Sequence, residues 1–263
     1  LDFAASTISG TLTATGGAAA GIVDSGNVAV AGDVTLTTDD NNGVINAGTL
    51  QQSAGDLLLV THGTGDATVV NNAAIDFGTS NVGGNLSATA SAGTITQAGG
   101  ALQVTGTSSF TADAAGGDVV LDHASNAFAG AVTLLAGSAG NQAFGNVTFV
   151  DDSAVNIDAN ADAAGDLFIN AAVDGAVGGN LSVTATTGTI TQGVALAVTG
   201  TSAFTTSTAD QAITLGNTGN ALGGTVAFTT GGTTGNVTID NGTTALDFAA
   251  STISGTLTAT GGA

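Results

Sequence analysis

The stretch GGNLSATASAGTITQ, beginning at Gly83, returns as GGNLSVTATTGTITQ beginning at Gly178. ISGTLTATGGAAAGIVD near the start has the same shape, with Leu12 in the place of Leu86 and Ile22 in the place of Ile95. Self-similarity at this scale limits the fold more tightly than any local propensity, because it marks architectures in which one unit stacks on the next. The motif leucines are Leu12, Leu86, Leu181 and Leu257, so sub-repeats start near residues 8, 83, 178 and 253, and the middle interval is the longest. Residues 1–18, LDFAASTISGTLTATGGA, come back unchanged as 246–263, so one period runs from Leu1 to Ala245. The expectation is one continuous solenoid segment over 1–263, holding one full period and the start of the next, cut from a longer array.

Unequal intervals argue against a string of closed sandwiches, each of which must complete its own core at nearly constant length. A smaller step of roughly two dozen positions runs through them, from Val34 to Leu57, Leu86, Phe110 and Val132, and again from Leu181 to Phe204 and Val226. Gain or loss of one whole coil between sub-repeats is what a solenoid permits, since each turn touches only its neighbours. Within each step, short alternating runs such as LSATA (86–90), TITQ (94–97), LQVTG (102–106) and DVVLD (118–122) are separated by Gly, Asn, Asp and Ser. That is the form of an all-β fold, a parallel β-helix of about 10–11 coils of 20–24 residues per period, roughly 50 Å tall at a strand spacing of about 4.8 Å. Gly and Asn at the corners are expected to supply left-handed backbone, and the Phe residues to stack in the core. The chain has no Pro, which suits strands paired both above and below.

The charge narrows the partners. There are 20 acidic residues, all Asp, and no Lys or Arg, for a net charge of −20. Nucleic acid and anionic membrane surfaces need basic residues to neutralise phosphate, so neither is an expected partner. No apolar run of about 18 residues is present to insert in a membrane. A chain without Lys or Arg also offers no site to trypsin-like proteases, which suits a secreted life.

Few constellations carry chemistry. Asp39 with Asp40 and Asp151 with Asp152 are the adjacent carboxylates a hydrolase could use, but neighbours on a strand point opposite ways, and both pairs are read as solvated turn residues. His62 and His123 have no partnering nucleophile motif. No catalytic residue is assigned and no enzyme is expected. The best candidate site is DANADAAGD, 158–166, where Asp158, Asn160 and Asp162 alternate as oxygen donors for calcium and Asp166 closes the shell, for a cation that takes about six to eight oxygens. The match is incomplete, with Ala163 where a calcium loop has Gly. Twenty carboxylates without counter-charge are also expected to draw cations from the medium, so no cofactor is required but calcium is the candidate.

The phrases GNLSVTATTGTITQ (179–192), VTGTSAFTT (198–206), SNAFAGAVTL (125–134) and GNVTIDNGTTALDFAASTISG (235–255) resemble the repeats of very large bacterial surface proteins of the filamentous-haemagglutinin and adhesin type. The resemblance implies a right-handed parallel β-helix exported to the cell surface. The expected function is a structural filament or stalk whose partner is itself, as a covalent array or by head-to-tail stacking. The alternative is a binding module whose polar ladders hold glycans or cations.

Overall fold

The computed structural model describes residues 1–17, 20–97, 99–137, 142–170 and 174–262. Ala18 and Ala263, the last residues of the two identical segments, lie outside them. Among the described residues there are strands and no helix, in sheets of 15, 13 and 3 strands. The strands pair in parallel with their counterparts one turn away, giving a β-solenoid of about 11 turns.

Alternation drives this winding. In Leu86–Ala90, Leu86, Ala88 and Ala90 are buried while Ser87 is exposed. Each buried residue lies on its counterpart: Leu86 on Ala67 and under Ser108, Ala88 on Val69 and under Phe110. The inward residues form one hydrophobic cluster from Ala14 to Ile239. Phe77, Phe110, Phe128 and Phe149 make a ring-to-ring column with centroids 6.0, 5.9 and 5.5 Å apart, and Phe204 and Phe228 stack at 5.9 Å. Aromatic contacts of this kind add about 0.5–1.5 kcal/mol beyond area burial. Not every Phe is core: Phe248 is 40 % exposed.

Two registers differ from the sequence expectation. Phe110 pairs with Ala88 and Leu134, and Phe204 with Val183 and Phe228, so the spacings taken through Leu86 and Leu181 are slipped by two positions. A slip of two keeps a side chain on the same face, which is why these residues still read as core. The long step from Leu57 to Leu86 is no turn at all. Leu57 belongs to the 13-stranded sheet and pairs with Phe77, whereas Leu86 belongs to the 15-stranded sheet.

Corner asparagines also act differently from the expectation. Among described residues other than Gly, only Asn42 and Asp210 have positive φ. Asn85, Asn146 and Asn180 instead stand just before a strand, and each caps the turn above. Asp66 accepts the Asn85 N–H at 2.7 Å, and Asn85 accepts the Thr107 N–H at 2.8 Å. Asn146 accepts from the Asn180 N–H at 2.9 Å, and Asn180 from the Thr201 N–H at 2.8 Å. A backbone donor where the strand has not yet begun is thereby satisfied. The preceding Gly has a steric reason: a Cβ on Gly84 would sit 2.4 Å from the Asp66 carboxylate, and one on Gly179 would sit 2.6 Å from the Asn146 side chain. The recurring GN is thus a ladder element.

The three intervals contain equal numbers of turns. Leu12 pairs with Val34, Val34 with Leu57 and Leu57 with Phe77, nine positions short of Leu86. Leu86 lies nine positions before Ile95, which leads through Val119 and Val147 to Leu181. Leu181 leads through Ser202 and Val226 to Phe248, nine positions short of Leu257. Counted along the 13-stranded sheet, the longer middle interval therefore comes from swollen turns, the one from Val119 to Val147 and above all the one from Val147 to Leu181. The latter stacks two strands, Asp166–Asn170 and Val155–Asp158, in the 15-stranded sheet, one extra strand layer on that side without an extra full coil.

That nine-position offset carries the chain around one side of the coil. Each turn has one broad side, typically a five-residue strand such as Leu86–Ala90, and two short sides. Leu12–Gly16, Val34–Asn41 and Leu57–His62 put the broad side in the 13-stranded sheet; Ala67–Asn71, Leu86–Ala90, Ser108–Ala112 and Val132–Ala136 put it in the 15-stranded sheet. Val147–Asp151, Leu181–Ala185, Ser202–Ala209 and Val226–Gly231 return it to the 13-stranded sheet, and Val237–Ala245 and Leu257–Gly262 to the 15-stranded one. At each exchange two short strands merge beneath one long strand, and a broad side splits. In Ile45–Gln52 the two short sides above Ile22–Asp24 and Val28–Val30 run on as one strand, and Ala67–Asn71 merges them, with Ala67 over Ile45 and Asn71 over Leu50; Leu57–His62 is covered by both Ile75–Phe77 and Ser80–Val82.

Candidate functional site

Merging leaves a backbone problem. A long strand pairs with the first short strand beneath it, and the N–H of the second loses its ladder partner. Asn71, Asp151 and Asn241, the fifth residues of the strands beginning at Ala67, Val147 and Val237, supply the missing acceptor. Asn71 accepts the Gln52 N–H at 2.8 Å, Asp151 the Phe128 N–H at 2.9 Å, and Asn241 the Leu222 N–H at 2.8 Å. All three are at most 2 % exposed. Splitting has its own device: the Ser80 hydroxyl accepts the Leu59 N–H at 3.1 Å and the Ser251 hydroxyl the Phe228 N–H at 3.0 Å.

A second set of amides, with Asn126 and Asn220 buried and Gln97 and Gln192 half-buried, locks the short strands between junctions. Asn126 and Gln97 exchange two hydrogen bonds of 2.9 Å each, and Asn126 also accepts the Leu102 N–H. Asn220, Gln192 and Leu196 repeat the arrangement one sub-repeat later.

Asp151 departs from the solvated turn residue expected of it. Phe128 and Asp152 donate their N–H groups to Oδ1, and the Ser153 hydroxyl donates to Oδ2 at 2.6 Å. Burial pushes its pKa above the ordinary carboxylate range; the bonds from Phe128 and Ser153 oppose that, and the Asp152 charge adds to it. Asp39, Asp40 and Asp152 are exposed. His62 is exposed with Nδ1 on the Thr38 carbonyl, and the His123 Nδ1 accepts the Ser125 N–H at 3.1 Å. Neither imidazole is brought to a carboxylate pair. A third acidic feature lies elsewhere: Asp56 is raised by burial first, then by the charges of Asp76 and Asp33.

The DANADAAGD segment forms the return loop between Val155–Asp158 and Asp166–Asn170, which pair in parallel with Asn156 opposite Asp166. The Asn156 side-chain amide ties the two flanking carboxylates, donating to Asp158 at 3.2 Å and Asp166 at 3.0 Å. The Ala159 and Ala163 N–H groups donate to Asp158 and Asp166. Asp166 is buried and Asp158 half-buried, whereas Asn160 and Asp162 are exposed. So the structure brings two of the four sequence-derived ligands, Asp158 and Asp166, to one shared donor, the Asn156 amide. Among the described residues no group of three or more His, Cys, Asp or Glu is placed to hold a metal ion.

Open grooves flank the junctions. One of about 440 Å³ is lined by Ile8, Val30, Ser53 and Ala73 among others, and one of about 330 Å³ by Phe128, Asp152, Ser153 and Gly165. No helix of the described chain is long and apolar enough to cross a membrane.

A family model described as repeats of unknown function (DUF5649) matches residues 64–135, 144–229 and 234–263. No curated protein and no solved structure matches the chain. The matched segments open within a few residues of Ala67, Val147 and Val237, the strands that merge two short sides into one. The family's repeat is therefore the interval from one side exchange to the next.

Proposed function

This chain belongs to that family of repeats, and from that premise we propose that it is a structural segment of an extracellular, protease-resistant filament or stalk at a bacterial cell surface, as the likeness to filamentous-haemagglutinin repeats implies. The observation that carries this reading is the continuous core: buried side chains from Ala14 to Ile239 form one cluster that runs through the sub-repeats. Length and stiffness are what such a column supplies, and its partner is itself, through covalent continuation or head-to-tail stacking. No catalysis is assigned, in keeping with Asp151 being engaged as a backbone acceptor and Asp39 and Asp40 lying on open surface.

The test is imaging together with digestion. Micrographs should show uniform rods rising about 4.8 Å per turn, and prolonged trypsin treatment should leave them whole. Beads joined by hinges would sink the proposal. The alternative, a module holding glycans or cations, draws on the junction grooves; reproducible hits on a glycan array, lost when Ser53 or Ser153 is replaced by a bulky residue, would favour it.

A further inference from the structure

We infer that each repeat of this family is a turning unit, which hands the broad side of the column from one sheet to the other, so that a run of such repeats displays equivalent surfaces on alternating sides. The inference rests on the column reading above and adds to it the geometry of display. Its basis is the recurrence of one rule, three turns and a nine-position offset, in all three intervals although the middle one is swollen. Chain length changes and the handover does not. Each matched repeat begins at a merging strand, and each merging strand carries its buried Asx at the fifth residue: Asn71, Asp151 and Asn241.

The consequence concerns whatever reads the surface. Outward residues of the broad side stack as Ser87, Ser109 and Thr133 in one unit and as Ser182, Ala203 and Ala227 in the next. These rows occupy corresponding sequence positions yet lie in different sheets. A partner selecting the broad side of one repeat meets its next copy facing another way, so contacts along the column are two-sided. An odd number of handovers lies between the identical segments at 1–17 and 246–262: Leu12–Gly16 is in the 13-stranded sheet and Leu257–Gly262 in the 15-stranded one. In a continued array the structural period is accordingly two sequence periods.

The chain has no Cys, so spin labels can be placed by substitution alone. The pair Ser87→Cys with Ser182→Cys spans three turns and one handover. The pair Thr148→Cys with Ala227→Cys spans three turns within one sheet, through Ser182 and Ala203. Both have similar axial rises, on the order of 15 Å. The expected result is a clearly longer electron–electron distance for the first pair, by an amount comparable to the column's width. Equal distances would overturn the inference. Ser109→Cys with Ala203→Cys is a second handover pair should the first perturb folding. Rods with equal distances would refute the alternation alone, and compact particles with unequal distances would refute the filament reading alone.

Discussion

The junctions around Asn71 and around Asp151 perform the same handover with different amounts of chain. At the first, Leu57 reaches its partner Phe77 by a short turn, and the broad side splits directly into Ile75–Phe77 and Ser80–Val82. At the second, Val147 meets its partner only at Leu181, and the extra chain forms Val155–Asp158, the DANADAAGD return and Asp166–Asn170. The first junction caps its orphaned N–H with a neutral amide, the second with a carboxylate. The difference teaches that the handover is set by which N–H groups must find acceptors, and that neither turn length nor charge is essential to it. A turn contacts only its neighbours, so the local insertion adds one strand layer to the 15-stranded side, between Val132–Ala136 and Ile190–Gln192, without disturbing the ladder Val147, Leu181, Ser202 in the other sheet.

The largest expected effects test whether both junctions are packed alike. Phe77 and Phe149 lie in the turns where the broad side is exchanged, both at most 2 % exposed. Phe77→Ala and Phe149→Ala should each lower stability by about 3–5 kcal/mol, as loss of a buried ring with incomplete collapse does. A clearly smaller loss at Phe149, read from denaturation midpoints, would show the swollen turn to be loosely packed and break the equivalence. Next comes the cap. Asn71→Ala strands the Gln52 N–H in the core and should cost about 1–3 kcal/mol; amide hydrogen exchange at Gln52 should accelerate with it.

How much of this is legible in the sequence is uneven, for physical reasons. Strand positions, parallel winding and turn length can be read because inward residues alternate with period two and the motif is long enough to align. Registers through Phe110 and Phe204 fall two positions off because such a slip leaves the burial pattern intact. The handover is visible only as the odd, overlong step from Leu57 to Leu86. Least legible are the buried caps. Asn71 looks like any turn Asn, and what sets it apart is a donor on Gln52 that loses its partner through pairings a full turn away. The signal that could have found them is an Asx at the fifth residue of a strand opening on a GN or GD boundary, as in ATVVN, VTFVD and VTIDN. Of the four calcium ligands proposed from spacing, Asp158 and Asp166 do meet, but spacing alone could not reveal that Asn156 lies between them.

A third prediction exploits the difference in charge between the two caps, neutral at Asn71 and ionisable at Asp151. The Asp151 pKa is raised in the folded state, so its contribution to stability is fully present below the ordinary carboxylate value and is lost as pH rises through the raised one. Acidification from neutrality should therefore stabilise the second junction. Asp151→Asn, which copies the first, should raise stability at pH 7 by on the order of 1 kcal/mol, because the amide keeps the acceptor for Phe128 and can donate to the Ser153 hydroxyl. The variant should also show a flatter dependence of midpoint on pH than the parent chain. Parallel pH profiles would mean that the carboxylate is as well solvated as a surface one.

The smallest effect concerns what only the second junction possesses. Asp162 lies at the exposed tip of the return loop, while the carboxylates at its base, Asp158 and Asp166, are already bonded by Asn156 and by the N–H groups of Ala159 and Ala163. If the loop is passive chain that closes a short parallel crossover, Asp162→Ala should change stability by no more than about 0.5 kcal/mol, the range of ordinary surface substitutions. Calcium should then raise the midpoints of parent and variant equally, through relief of repulsion among 20 uncompensated carboxylates, an effect sodium at matched ionic strength largely reproduces. A calcium-specific gain that Asp162→Ala removes would mean instead that the loop re-forms around an ion, with Asn156 displaced from between the two carboxylates. In that case the swollen turn would be a metal-responsive version of the plain handover at Asn71, and the two junctions would differ in function as well as in length.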